Sequence, residues 1–330
     1  MEKEYKVQTR FLFHTNIKIK IPDSFENKVF DELFEILEDV NKNYNSYSKN
    51  SYINKINKIN KNNGKFVQVN EETVNLLEKV VHFSEIMNGE YDITIMPLIK
   101  LWGFYKENSD KIPENLETKK IKKLVDYKKI IIDKKNLKVK IDKNQEIITG
   151  SFIKAYAIDK AIQKMKELKI NDAIINAGGS SIAAINGWGI IVENPEPEKK
   201  LLKNDDGKIL KITKEKYEGN DEYNDLFEIE IKDLTYSTSN QVNTFLEIDG
   251  EKYGHIISPK TGFPAKNKQI GIITENAFFG DMISTGLYNQ TPKNFHEIIK
   301  KLSKEIKIEG YLIDENGEIH YTDGFLEYVK

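Results

Sequence analysis

Residues 152–179, FIKAYAIDKAIQKMKELKINDAIINAGG, carry two successive hydrophobic patterns. In 152–168 the apolar residues recur at helical spacing along one side, and this predicts an amphipathic helix. The apolar run AIINA at 173–177 ends at Gly178-Gly179, which is typical of a short buried strand followed by a turn. A helix therefore leads directly into a strand at the centre of the sequence.

Further elements flank this unit on its N-terminal side. IKIKI at 17–21 alternates strictly and predicts a half-buried strand, and Pro22-Asp23-Ser24 then offers a helix start. Residues 71–88 have helical spacing and end at a C-cap pair, Asn88-Gly89. The β-branched runs IIID, LKVKID and EIIT within 110–150 predict short strands.

The C-terminal side of the sequence is also predicted to contain both strands and helices. Hairpins are expected around Asp249-Gly250 and around Glu315-Asn316-Gly317, with a strand at 269–274. One helix is expected to begin at Asp281, and another spans 292–305. Because strands and helices interleave without a regular βαβ period, the sequence predicts an α+β fold with a mixed or antiparallel sheet and packed helices.

Length and composition limit the number of domains and the class of protein. The 330 residues show no internal repeat and no clear break in composition, so we expect one domain over 1–330, with a polar surface insertion near 194–225. Lys+Arg total 50 and Asp+Glu total 52, a balance that argues against a strongly basic nucleic-acid binder. No apolar run approaches the roughly 18–20 residues that a membrane span needs.

The absence of cysteine excludes disulfides, thiolate metal sites and a cysteine nucleophile, and five histidines make a His-rich metal site improbable. The N-terminal residues have no secretory signal pattern. The expected location is therefore the cytoplasm, or an exported chain whose leader has been removed.

The segment GDMISTGLY at 280–288 offers oxygen ligands for a cation. If Asp281 opens a helix, Asp281 and Thr285 are four residues apart and share one face. A carboxylate and a hydroxyl directed at one point suit a hard cation such as Mg²⁺. An N-cap aspartate followed by a half-buried threonine is the alternative interpretation of the same spacing.

The segment TGSFIKAYAID at 149–159 offers a site for an anion. Gly150-Ser151 precedes the strong helix, and Lys154 falls in its first turn, so free backbone N–H groups and a cation lie together. The string is not a Walker A loop. An ordinary helix start with a solvent-facing lysine remains the alternative.

Two further segments supply candidate side chains. In HIISPKTGFP at 255–264, His255 ends a predicted strand beside a hydroxyl-rich turn and could deprotonate a nucleophile, or could be a structural histidine at a hairpin exit. A Ser–His–Asp hydrolase is the rival, but no G-x-S-x-G elbow exists in the chain. In NGEYDITIMPLIKLWGFY at 88–105, aromatic residues could enclose a flat ligand or simply form core: Tyr91, Trp102, Phe104 and Tyr105.

Taken in order, these segments resemble the FAD:protein FMN transferase family, also called the ApbE family. The resemblance covers roughly residues 10–290. The most specific strings are Gly89 to Phe104, with its Tyr-Asp-x-Thr and Leu-Trp-Gly-Phe elements, and His255 to Pro264. Supporting matches are SYSKNSYINKIN from Ser46 to Asn57, Gly150-(x)3-Lys154 with Tyr156-Ala157-x-Asp159, Asn176-x-Gly178-Gly179, Tyr236 to Ser239, and Asp281 with Ser284-Thr285.

The chain departs from the family pattern at several positions. Ser258 stands where the family has an aspartate before the proline of the histidine string, and Ala155 stands where it has a glycine after the lysine. Ser180 replaces the aspartate that follows the family's Gly-Gly pair. Other departures lie in the early Phe13-His14-Thr15 segment, in 148–151 and in 239–242. The pair that matches the family's metal site, Asp281 and Thr285, is intact.

The resemblance implies an α+β, ApbE-like flavin-transferase fold and a Mg²⁺-dependent transfer of FMN from FAD to a Thr or Ser hydroxyl of an acceptor flavoprotein, with release of AMP. It implies Asp281, Thr285 and the Ser151 carbonyl as metal ligands and Lys154 as a phosphate ligand. His255 would act on the acceptor hydroxyl with Thr261 nearby. The flavin or adenine pocket would use a larger set: Tyr47, Tyr91, Asp92, Ile93, His255 and Ile256.

The implied partners are FAD and a redox flavoprotein acceptor, which in this family is commonly at a membrane; no nucleic acid is expected. Two other functions stay open. One is a Mg²⁺-dependent FAD pyrophosphatase, in which water replaces the protein hydroxyl. The other is a flavin-binding protein without catalysis.

Overall fold

The computed structural model describes residues 3–60, 64–104, 111–219, 225–242 and 244–330. The helices are α1 (Lys28–Tyr44), α2 (Tyr52–Asn60), α3 (Glu71–Ile86), α4 (Met96–Trp102), α5 (Asn115–Lys122), α6 (Ile153–Glu167), α7 (Ala277–Leu287) and α8 (Pro292–Leu302). The strands of the N-terminal half are β1 (Tyr5–Leu12), β2 (Thr15–Pro22), β3 (Val67–Gln68), β4 (Ile131–Asp133), β5 (Lys138–Lys140), β6 (Ala173–Ala177), β7 (Ser181–Ile185) and β8 (Gly187–Val192). The remaining strands are β9 (Lys199–Lys203), β10 (Ile209–Lys216), β11 (Phe227–Lys232), β12 (Thr235–Asn240), β13 (Phe245–Ile248), β14 (Glu251–Gly254), β15 (Gln269–Thr274), β16 (Ile308–Ile313) and β17 (Ile319–Tyr321).

An eight-stranded antiparallel sheet organises the fold, in the order β1-β2-β6-β7-β12-β15-β16-β17. Its strands alternate as the sequence predicts: Ile17, Ile19 and Ile21 of β2 are fully buried, whereas Lys18 between them is exposed. The α+β prediction is therefore confirmed. None of the helices in the described ranges has both the length and the apolar character needed to cross a bilayer.

A separate hydrophobic core packs against each face of this sheet, and one of the two cores includes no residue of β1 or β2. Helices α1, α3, α6, α7 and α8 pack on one face, with Phe30, Ile158 and Ile283 among their buried side chains. The other face is covered by β8, β10 and β11, and its core includes Ile190, Ile229 and Tyr311. The sheet is thus a middle layer, and its ends remain available for a site.

Most predicted elements are confirmed, including the helix over 152–168, the helix over 71–88 and the hairpins β13–β14 and β16–β17. The structure differs from the sequence prediction at the first helix and in the polar stretch. The first helix begins at Lys28, several residues after Pro22, and the polar stretch near 194–225 contains the hairpin β9–β10. Buried Ile209 and Ile212 pack that hairpin onto the second core, so its strands have a hydrophobic side that the polar composition concealed.

The strand predicted at EIIT is wrong, because this segment is held by side chains instead of a neighbouring strand. The Asn57 side chain accepts from the Ile147 N–H at 2.8 Å and donates to the Ile147 carbonyl at 2.8 Å. The Ile148 N–H donates to the Ile93 carbonyl, and Thr149 exchanges hydrogen bonds with Ser46. The Ser…Asn stretch at 46–57 therefore positions the segment that leads into α6.

The helix predicted to open at Asp281 begins four residues earlier, at Ala277. Asn276 caps it by accepting from the Phe279 N–H, and Asp159 of α6 accepts from the N–H groups of Ala277 at 2.9 Å and Phe278 at 2.8 Å. A carboxylate at a helix N-terminus satisfies donors that have no partner within the helix. Asp281 consequently lies inside α7, one turn before Thr285.

We predict that Asp159→Ala lowers the free energy of unfolding by about 1–3 kcal/mol at pH 5, because two buried N–H groups lose their acceptor. Burial raises the pKa of Asp159 from 3.8 to about 7. Because the pKa of Asp159 is higher in the folded than in the unfolded protein, the free energy of unfolding of the wild type falls as the pH rises from 3.8 to about 7. The variant has no carboxyl group at this position and does not show that fall. The difference between variant and wild type should therefore shrink toward pH 7.5.

Denaturant unfolding at both pH values tests this, with Asp205→Ala, at an exposed position, as control. A loss of the same size at pH 5 and pH 7.5 would contradict the titration of Asp159.

Candidate active site

A cavity of about 1090 Å³ opens at one end of the main sheet. The β1–β2 turn, the β6–β7 turn, the start of α6 and the second half of α7 surround it. Gly178 in the β6–β7 turn has φ +64°, and a Cβ there would lie 2.2 Å from Thr15 Oγ1, so only glycine fits. Asn176 fixes the same turn by accepting from the Gly179 N–H.

The cavity brings together most of the predicted site residues, although they come from five distant segments. Ile93 and Thr261 are absent from its lining. The predicted residues that do line it are Tyr47, Tyr91, Asp92, Ser151, Lys154, His255, Ile256, Asp281 and Thr285.

Asp281 places a buried carboxylate in this cavity. The Ser181 hydroxyl lies 2.7 Å from Oδ1 and 2.8 Å from Oδ2 of Asp281 and donates to them. Burial raises the pKa of Asp281, and the charge of Lys154 together with the hydrogen bonds from Ser181 opposes that rise. A buried carboxylate with so few compensating charges favours a cation as an additional partner.

Lys154 is the cation that faces Asp281 from the first turn of α6. Its Nζ donates to Ser180 Oγ at 2.5 Å and to the Ala177 carbonyl at 3.3 Å. Burial lowers the pKa of Lys154, and the charge of Asp281 opposes the change. The two charges, contributed by α6 and α7, face one cavity, and this gives the site one position for an anion and one for a cation.

Oxygen atoms predominate around Asp281. Thr285 follows one turn later on α7, and the Ser239 and Ser284 hydroxyls are 3.1 Å apart. Ser151 Oγ lies 3.1 Å from the Tyr91 hydroxyl, whose pKa is raised by burial. These neutral and anionic oxygens are the donor set that Mg²⁺ accepts. The described residues also contain a carboxylate–histidine group, Asp314, Glu318 and His320, but it lies outside the cavity lining.

Asp92 and Ile93 are committed to the structure of their own loop. Asp92 accepts hydrogen bonds from the Thr94 N–H, the Thr94 hydroxyl and the Tyr127 N–H, and burial raises its pKa to about 6. Ile93 is buried, and its carbonyl accepts from Ile148. Asp92 touches the cavity, whereas Ile93 shapes it indirectly.

His255 lies at the cavity wall with one ring nitrogen fixed. Its Nδ1 is 3.1 Å from the Thr244 carbonyl, which can only accept, so Nδ1 carries the proton and Nε2 is left as the acceptor. Burial lowers the pKa of His255, which keeps the ring neutral near pH 7. Thr261 is exposed in the following turn, where its hydroxyl accepts from the Phe263 N–H.

Sequence reasoning missed Glu90, Ser180 and Ser181 as site residues. Glu90 lines the cavity, accepts from Ser258 Oγ at 3.1 Å and pairs with Lys260 at 3.4 Å. The sequence signal for Glu90 was the departure at Ser258, because a carboxylate that is missing from one segment can be replaced by an acidic residue from another. Ser180 and Ser181 gave no spacing signal; only the folded turn brings them to Lys154 and Asp281.

Three of the four predicted aromatic residues lie in the described part of the chain, and they have two different roles. Tyr91 and Phe104 line the cavity, and the Phe104 ring meets the His255 ring edge-on at 6.5 Å. Trp102 is fully buried, and its Nε1 donates to the Gly262 carbonyl at 2.8 Å, which ties α4 to the turn after His255. Tyr105 lies outside the described residues.

Proteins named FAD:protein FMN transferase align with this chain over most of its length. An FAD:protein FMN transferase of Haemophilus influenzae is 24% identical over 267 residues, which cover 79% of this chain and 72% of that protein. An FAD:protein FMN transferase of Vibrio cholerae is 23% identical over 282 residues, covering 82% and 77%.

Solved structures share the fold. The crystal structure of the ApbE protein of Thermotoga maritima superposes with a TM-score of 0.81 at 24% identity, covering 99% of this chain and 100% of that one. The flavin transferase ApbE of Vibrio cholerae gives 0.79 at 19% identity, with the same coverage. A model of the ApbE family matches residues 13–309, and the chain therefore belongs to the ApbE family.

Proposed function

We propose that the protein is an FAD:protein FMN transferase that moves FMN from FAD to a Thr or Ser hydroxyl of an acceptor flavoprotein. The acceptor oxygen bonds to the phosphorus of the FMN half, the bond from that phosphorus to the bridging oxygen breaks, and AMP leaves. The observation that carries the proposal is the presence of buried Asp281 and of Lys154 in the lining of one cavity of about 1090 Å³. The acceptor is expected to be a membrane-associated redox protein.

The residues present fit a Mg²⁺ ion. Asp281, Thr285 and the Ser151 carbonyl would hold it, and the bound ion would supply positive charge to the pyrophosphate oxygens as the bridging bond breaks. Lys154, already fixed by Ser180 and the Ala177 carbonyl, would bind a second phosphate oxygen. Fixed charges of this kind stabilise a developing negative charge without reorganisation during the reaction.

The dinucleotide rings would contact the aromatic part of the cavity. Tyr47 and Tyr91 line it from two segments, and His255 and Ile256 line it from a third. Asp92 would maintain the shape of the loop through its hydrogen bonds, and Ile93 would support that loop from beneath. Because the lining draws on residues from Phe13 to Asn289, we also propose that 1–330 acts as one domain.

His255 would take the proton of the acceptor hydroxyl at Nε2. The Thr244 carbonyl holds the ring in the tautomer that this requires. Thr261 would act through the turn rather than at the reacting atoms, since its hydroxyl is bonded within that turn.

The test is intact-mass spectrometry of a candidate acceptor after incubation with the protein, FAD and Mg²⁺, alongside chromatographic measurement of AMP. Transfer predicts an acceptor heavier by one FMN and AMP release that depends on the acceptor. AMP release at an equal rate without any acceptor would indicate the FAD pyrophosphatase instead. FAD binding with no AMP would indicate a flavin-binding protein.

We predict that Asp281→Asn abolishes Mg²⁺-dependent AMP release, a loss of about 10²-fold or more, because the amide keeps the shape but removes the charge that holds the cation. The rise in melting temperature that Mg²⁺ gives the wild type should also disappear, since it reflects binding to the folded state. Asp172→Asn is the matched control, because Asp172 and Asp281 are both 8% exposed and Asp172 lies outside the cavity lining. Retained Mg²⁺ dependence in Asp281→Asn would refute the ligand assignment.

We predict that His255→Gln lowers the transfer rate by about 10²–10⁴-fold, the usual range for one general base. The wild-type rate should fall as pH drops, with its midpoint below 6.5, because burial lowers the pKa and only the neutral ring accepts a proton. Rate–pH profiles at saturating FAD and acceptor measure this, with His82→Gln on the exposed side of α3 as control. Persistence of the acid limb in His255→Gln would assign it to another group.

A further inference from the structure

A trough leads into the cavity along an uncovered part of the main sheet. The second core covers the sheet from β7 to β17 but leaves the outer face of β1 and β2 open. On that face Val7 is 49% exposed and Phe11 is 68% exposed, and Lys18 faces solvent between them. The register places these side chains on one surface, because Val7 pairs with Lys20, Thr9 with Lys18 and Phe11 with Asn16.

Strand β8 forms the side wall of this trough. At its start the Trp188 ring meets the Tyr5 ring at 5.1 Å, and Lys20 lies over the same indole at 4.8 Å. At its end Gly189, Ile190, Ile191 and Val192 line the cavity. Both β1 and β8 therefore run from the Tyr5–Trp188 contact toward the proposed reaction site.

The edge of β8 that borders the trough has backbone groups without a ladder partner among the described residues. Within the described ranges strand β8 pairs with β11 alone, and Ile191 faces Glu228 in that register. The Glu228 carbonyl accepts from the Lys330 N–H on the far side of β11, so its polar groups point away from β8. In an antiparallel ladder a facing pair exchanges both hydrogen bonds or neither, so the N–H and C=O of Ile191 also point outward.

We propose that this edge binds the acceptor protein, as an extended segment that adds a strand to β8 and delivers its hydroxyl into the cavity. The inference rests on the proposed function, because only a transfer reaction needs a protein segment at the site. An open strand edge supplies main-chain hydrogen bonds to such a segment, and side chains beneath it supply selectivity. Phe11 and Val7 select an apolar side chain, and Lys18 selects an acidic one.

Continuity with the cavity distinguishes this edge from other exposed edges. Strand β1 is also an edge of the main sheet, but Gly189 to Val192 of β8 lie in the cavity wall itself, together with Ile174 and Asn176 of β6. A strand paired there would extend from the open trough to the position where phosphate chemistry is proposed.

The decisive variant is Ile191→Pro. Proline removes one N–H that makes no bond to β11, and its ring obstructs pairing on that edge, while the rest of the β8–β11 ladder is retained. Ile191→Ala is the matched control, since it keeps the N–H and changes only an exposed side chain. The probe is the FMN-binding domain of a redox flavoprotein that the wild type modifies in the mass-spectrometric assay.

The expected result is a rise of about tenfold or more in KM for the acceptor in Ile191→Pro relative to Ile191→Ala, measured at saturating FAD, with kcat and FAD affinity equal in the two variants. An unchanged acceptor KM overturns the docking site. Weaker FAD binding in a variant with the wild-type melting temperature also overturns it, by assigning the edge to the dinucleotide.

A second variant tests the same surface without a proline, in case Ile191→Pro fails to fold. Lys18→Glu combined with Phe11→Ser changes only exposed side chains of the trough floor and should raise the acceptor KM in the same way, whereas a wild-type KM overturns the proposal. If the wild type releases AMP by hydrolysis and never modifies an acceptor, the proposed function itself is refuted. If the variants transfer FMN with an unaltered KM for the acceptor, the docking site alone is refuted.

Discussion

The Asp159 carboxylate at the N-terminus of α7 is the contact on which the proposed site depends most. It fixes two neighbouring backbone N–H groups of α7 from a side chain of α6. Lys154 lies on α6 and Asp281 on α7, so the bond that joins the helices also sets the separation of the two charges. Both charges face the cavity, and both are carried by helices that are packed on the main sheet.

Local pattern predicted the elements well where one face of each is buried. The alternation in β2 and the apolar side of α6 report burial directly, and turn residues located the hairpins β13–β14 and β16–β17. The strand at EIIT failed for a different reason. Its β-branched residues are buried, but its backbone is paired with Asn57 and Ser46, about 90 to 100 residues earlier, and no local pattern records that pairing.

Spacing and local chemistry offered the main site residues only as candidates beside structural alternatives, and the resemblance joined them in one site. The resemblance named Asp281, Thr285, Lys154 and His255, and the fold brings all four to one cavity. Ser181 and Glu90 were missed because their roles arise from contacts between segments that lie far apart in the sequence. Glu90 accepts from Ser258, the residue that stands where the family pattern has an aspartate, so the turn after His255 still has a carboxylate beside it, supplied from another segment.

The side-chain support of residues 146–149 also has a mechanical consequence. A strand transmits displacement to its neighbours through a continuous ladder, whereas this segment is attached to the helical layer at separate points, Asn57 and Ser46. The segment that leads to Ser151 is therefore held by α2, by the loop before α2 and by the Ile93 carbonyl, and it belongs to none of the strand ladders of the described residues. Small adjustments of this segment around a bound dinucleotide would bend a few amide contacts and leave the sheet register, and with it the opposite wall, undisturbed.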